Sequence, residues 1–176
     1  MSYAFASIET LFYLAGLIAI VASIKVITQK NTVHALLYLV ISLLAVAVCF
    51  YLMGAPFAAG LEVIVYAGAI LVLFVFAIMM FGLKEDEVNH APQNKGLSMW
   101  FGPCLLALCL LAEMVISFDS ADIQHRLAGT VVSSREVGIL LYGPYLLAVE
   151  IASFLLLAGL IAGYHYAKPD IQGGHL

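Results

Sequence analysis

Residues 61–81 read LEVIVYAGAILVLFVFAIMMF, and this stretch decides the fold. It is long enough and apolar enough to cross a bilayer as a single helix. It also opens with an ionisable Glu62, places Tyr66 one turn later, and follows it with the small trio Ala67, Gly68 and Ala69. A span that only anchors needs neither an acid nor a glycine notch. Polar chemistry at membrane depth is a functional hypothesis by default.

The remainder of the chain has the same character. Of 176 residues, 64% are hydrophobic and only 10% charged, and the mean hydropathy is +1.08. That composition excludes a water-soluble domain. The formal charge of −4 therefore carries no argument for nucleic acid or an anionic surface. Apolar runs mark five expected transmembrane helices, at about 8–27, 33–53, 61–81, 97–118 and 144–166, within one transmembrane domain spanning 1–176. Gly54, Ala55 and Pro56 break the second from the third, and Trp100 stands at an interfacial position of the fourth. The apolar region 138–166 is too long for one untilted crossing, and Gly143-Pro144 offers a break in it. Ser133 and Ser134 with Arg135 and Glu136 then form the cap and first turn of a short interfacial helix, 135–142. A single kinked helix is the competing reading. The fold expected is thus an all-α integral membrane protein.

Five alternating spans collect Lys25, Lys30, Lys84, Lys95 and Lys168 on one side, and Arg126 and Arg135 on the other. The positive-inside rule makes the lysine side cytoplasmic, with the N-terminus outside and the C-terminus inside. MSYAFASIET at the start lacks the positive n-region of a secretory signal, so the first run reads as a retained span.

Three carboxylates are candidates for membrane depth: Glu62, Glu113 and Glu150. Glu150 is the deepest by count, Glu113 the nearest to an interface. An isolated carboxylate in that medium is costly to ionise, which suits it to hold and release a proton. The plainer reading is a hydrogen bond to a neighbouring helix or subunit. Glu62 and Tyr66, spaced i, i+4, share a helix face. The Tyr66 hydroxyl both donates and accepts, as a proton path requires; as a belt or packing residue it would need neither role. Gly68 permits either a close helix crossing or a π-bulge. His34 sits at the edge of the second span, where a cap or headgroup contact is the ordinary role. Cys49, Cys104 and Cys109 lie in apolar runs without CxxC or histidine spacing, so no metal or redox cofactor site and no catalytic constellation is expected.

At these residues the chain resembles a known family. NTVHALLYLVISLLA, LEVIVYAGAILVLFVFAIMM and GPYLLAVEIASFLLLAGLIAGYH are similar to stretches of subunit J of bacterial NADH:quinone oxidoreductase, respiratory complex I, whose mitochondrial counterpart is subunit 6. The likeness runs from about residue 14 to 165, and Glu-x-x-x-Tyr-x-Gly is its most specific motif. Thr32 departs from the proline frequent there, and 84–95 and 119–134 match poorly. The resemblance implies a subunit of an H+-translocating enzyme with no redox centre of its own. FMN, iron–sulfur clusters and quinone (ubiquinone in many members) then belong to partner subunits. It also implies A-, H-, K- and N-type neighbours, a bacterial inner-membrane location, and a third helix that rotates between states. On that basis Tyr66 and Gly68 map onto the switching region, with Glu62 and Glu150 as supporting polar groups. Two other functions stay open from sequence: a purely structural scaffold of that complex, or a small subunit of a related antiporter or membrane-bound hydrogenase.

Overall fold

A computed structural model of the chain describes residues 8–80, 96–119 and 131–167. All regular structure among them is helical: α1 (Ile8–Thr28), α2 (Thr32–Leu52), α3 (Pro56–Leu61), a π-helical segment (Glu62–Ile70), α4 (Leu71–Met80), α5 (Gly96–Asp119), α6 (Ser134–Leu141) and α7 (Leu146–Ala167). Five helices among these residues are long and apolar enough to span a membrane: Ile8–Thr28, Thr32–Leu52, the continuous Pro56–Met80, Trp100–Ser117 and Leu146–Tyr166. Lys84, Lys95, Arg126 and Lys168, on which part of the orientation argument rests, lie outside the described residues, as do 84–95 and most of the 119–134 region.

Two compact units divide at Val132 and Ser133. In the first, α1 and α2 form an antiparallel hairpin. Its seam is Leu11, Ala15, Ile18, Ala19 and Ala22 against Ile41, Ala45, Val48 and Leu52. Ala15, Ala22 and Ala45 are wholly buried, because small side chains let two apolar helices approach to backbone contact where lipid offers no hydrophobic drive. One polar clasp crosses the seam: Ser42 Oγ donates to the Ala19 carbonyl at 3.1 Å and lies 2.8 Å from Ser23 Oγ. Ser42→Ala removes both bonds, and we expect a loss of about 0.6 kcal/mol, read as a small fall in the thermal midpoint of the purified assembly.

The α1–α2 turn is short because Asn31 caps α2, its side chain accepting from the backbone N–H of Val33 at 3.0 Å and of His34 at 3.3 Å. After α2 the chain reverses through Gly54, whose φ of 81° suits a residue without Cβ. The third helix starts at Pro56, five residues before the expected position. Pro56 stands at the first helical position, where its missing N–H costs nothing. The breaker read from the sequence thus both ends α2 and starts the next helix.

α5 runs parallel to α2. The His34 and Trp100 rings meet edge to face at one end, with centroids 5.8 Å apart; Val48 and Tyr51 share a cavity wall with Met114 and Ser117 at the other. Parallel second and fourth spans are what alternation along the chain requires. His34 is buried under Trp100 rather than free to meet a headgroup.

In the second unit Ser133 and Glu136 close a capping box: Glu136 N–H donates to Ser133 Oγ at 3.3 Å and Ser133 N–H to Glu136 Oε2 at 3.0 Å. A turn at residues 142–145 then separates α6 from α7, so the two are distinct helices and not one kinked rod. Within the described residues of α7 only Val149 is partly covered.

Candidate π-helical site

The third helix changes its hydrogen-bond register within the motif singled out by the sequence. From Glu62 to Ile70 the backbone is π-helical, with bonds to the carbonyl five residues back instead of four. The Leu71 N–H, at the exit, still reaches the Tyr66 carbonyl. Nine residues of π-helix is long for a form that usually appears as one turn. The inserted residue rotates everything downstream by about 100°, one residue's share of an α turn.

Composition permits this local form. Glycine at 68 spares the turn a side chain, since a Cβ there would stand 3.2 Å from the Val63 carbonyl oxygen. That carbonyl lies five residues back, where the π register places a hydrogen-bond acceptor. Glu62, at the first position, is buried with 8% of its surface exposed. Tyr66 is half exposed at 52%. The segment thus turns an acid inward and a phenol outward. A cavity of about 270 Å³ opens beside its first turn, between Val63, Gly60 and Ala59 on this helix, Tyr51 on α2, and Met114 and Ser117 on α5.

Glu150 occupies the second unit and is exposed on α7. The Ser153 hydroxyl caps the Glu150 main-chain carbonyl at 2.7 Å and leaves the carboxylate untouched. Glu113, the nearest of the three to an interface by count, is the most buried ionisable side chain among the described residues, at 1% exposure. A signal for it was present. Pro103, Leu106, Leu110, Glu113 and Ser117 fall at i, i+3, i+7, i+10 and i+14, the spacing of one helix stripe, and four of the five are buried outright.

Among the described residues, no group of three or more His, Cys, Asp and Glu side chains is placed to hold a metal ion. Cys49 is half-buried, and Cys104 and Cys109 are exposed; all three are free thiols.

Residues 22–165 match the family model described as NADH-ubiquinone/plastoquinone oxidoreductase chain 6. The chain belongs to this family. Curated relatives span nearly all of it. NADH-quinone oxidoreductase subunit J of Pseudomonas aeruginosa is 49% identical over 164 residues, covering 93% of this chain and 99% of the relative. Subunit J of Escherichia coli K12 is 48% identical over 165 residues, covering 94% and 89%. That of Buchnera aphidicola from Schizaphis graminum is 45% identical over 162 residues, covering 91% and 98%. As a chain 6 family member with five membrane-length helices, it is a multi-pass membrane subunit of an oxidoreductase complex. The π segment and the buried α5 acid therefore belong to a component of a larger enzyme.

Proposed function

We propose that this chain is a non-redox membrane-arm subunit of proton-translocating NADH:quinone oxidoreductase, and that its third helix couples quinone reduction to proton movement by changing register. The observation that carries the reading is the π segment Glu62–Ile70, which coincides with Glu62, Tyr66 and Gly68. A π segment stores one extra residue. Reverting it to α-helix turns the following face by about 100° and moves the Tyr66 hydroxyl relative to Glu62. Two such states differ in which hydrogen-bonded groups line up, so switching between them opens or closes a proton link without any redox group here.

Quinone, FMN and iron–sulfur clusters lie in other subunits on this reading. The helices leave broad apolar faces for A-, H-, K- and N-type neighbours, Glu150 among them as a polar group facing a partner. The lysine bias supports a bacterial inner-membrane placement with the N-terminus outside and the C-terminus cytoplasmic.

A scaffold role is the second reading, favoured by the exposure of almost every described residue of α7. Tyr66→Phe and Glu62→Gln decide between them. Both keep the side-chain shape while removing a proton-handling group. The coupling role predicts complexes that assemble normally on native gels but pump fewer protons per electron. The scaffold role predicts the reverse: less assembled complex, with unchanged pumping in what remains.

A further inference from the structure

Outside the π segment the most unusual chemistry lies in α5. The Glu113 side chain is buried at 1% exposure and Ser117, one turn on, at 2%. Among the described residues neither Glu113 carboxyl oxygen nor Ser117 Oγ has a hydrogen-bond partner. The Ala15 main chain of α1 comes near the carboxylate without closing a bond of good geometry. A carboxylate and a hydroxyl so buried and so bare are costly, and in native structures such groups are met by ordered water or by a proton. A cavity with room for water adjoins them: Ser117 lines the space beside the π segment together with Tyr51, in a wall that is otherwise apolar, Met114 and Val63 included. At about 270 Å³ it far exceeds the roughly 30 Å³ that one water occupies in the liquid.

We propose that Glu113 and Ser117 form a water-binding, protonatable site between α1, α2 and α5, fed from that cavity through the Ser117 hydroxyl. The reaction is a proton transfer. A hydronium O–H bond breaks, an O–H bond forms on a Glu113 carboxyl oxygen, and water is left; the return step reverses this, with no change of oxidation state. On α2 the titratable side chains toward this end are Cys49, which is half-buried, and Tyr51, which reaches the cavity wall. His34 and Tyr38 belong to the opposite end of α2, where His34 meets Trp100. The buried face of α1 brings only Leu11, Ala15, Ile18, Ala19 and Ala22. The site stands on α5 and goes beyond the register change, so it holds or fails whether or not the third helix switches.

The test is infrared spectroscopy of the whole purified complex in lipid, as wild type, Glu113→Gln and Ser117→Ala. We expect a protonated-carboxyl C=O band that Glu113→Gln removes, that weakens as pH is raised, and that moves to lower frequency in D2O. Ser117→Ala should shift this band upward and slow its deuterium exchange several-fold. Identical wild-type and Glu113→Gln spectra at every pH overturn the proposal, as does a band indifferent to D2O, which marks a sealed acid. If Glu113→Gln fails to assemble, Ser117→Ala decides: a carboxyl spectrum and exchange rate superimposable on wild type also overturn it.

Discussion

Gly68→Val lowers coupled NADH:quinone turnover on the order of ten-fold, while NADH oxidation by artificial acceptors in the same preparation stays unchanged. At position 68 the atom that an added side chain meets is part of the backbone. A Cβ there meets the Val63 carbonyl oxygen at 3.2 Å, and that oxygen belongs to the backbone of the same π turn. No side chain can swing aside, so relief comes only from altering the helix itself. Alanine adds that one atom and asks for a shift of a few tenths of an ångström. Valine adds two branches and fixes χ1, so the π register becomes the more strained of the two. Ten-fold in rate corresponds to about 1.4 kcal/mol, within the roughly 1–3 kcal/mol that overpacking costs. Gly68→Ala should therefore fall between wild type and valine, giving an ordered series. The artificial-acceptor assay isolates the electron-entry chemistry, which no residue of this chain touches on the proposed reading. A Gly68→Val complex that assembles normally and turns over at the wild-type coupled rate removes the gating role.

The helical content was legible because membrane-length apolar runs and their breakers need only hydrophobicity and local geometry. Asn31, Gly54, Pro56 and the Ser133–Glu136 box each act through their own backbone, and local rules read them. The register inside the third helix was not legible. Glu62, Tyr66 and Gly68 have the same spacing on paper in either form, and only the choice between four-back and five-back hydrogen bonds separates the two. Glu113 was undervalued for a different reason. Distance from a helix end says little about its surroundings, whereas the stripe it shares with Leu106, Leu110 and Ser117 governs what covers it. His34 was likewise read from its place at a membrane edge, and the Trp100 ring that buries it arrives from sixty-six residues away. Contacts of that range leave no mark on local pattern.

The tightest of these long-range contacts yields the second large effect, this time on stability. Gly102 of α5 lies directly beneath the Tyr38 hydroxyl of α2, and a Cβ at 102 would collide with that oxygen. Tyr38 is 5% exposed, so its ring has little freedom to retreat. In an open helix Gly→Ala is stabilising by about 1 kcal/mol. Here overpacking opposes that gain at about 1–3 kcal/mol, and Gly102→Ala should loosen the α2–α5 contact. The expected result is less of this chain retained in complex on native gels and a lower thermal midpoint for its release. Tyr38→Phe identifies the cause. With the hydroxyl oxygen gone, the nearest atom to the new Cβ is the ring Cζ at 3.4 Å, an ordinary van der Waals distance. The double variant should therefore regain most of what Gly102→Ala loses, with a coupling energy on the order of 1–2 kcal/mol in a double-mutant cycle. Strictly additive losses would mean that the Tyr38 hydroxyl is not what opposes the new Cβ. Because this contact fixes how α5 lies on α2, the same cycle reports on how firmly Glu113 and Ser117 are held beside the cavity.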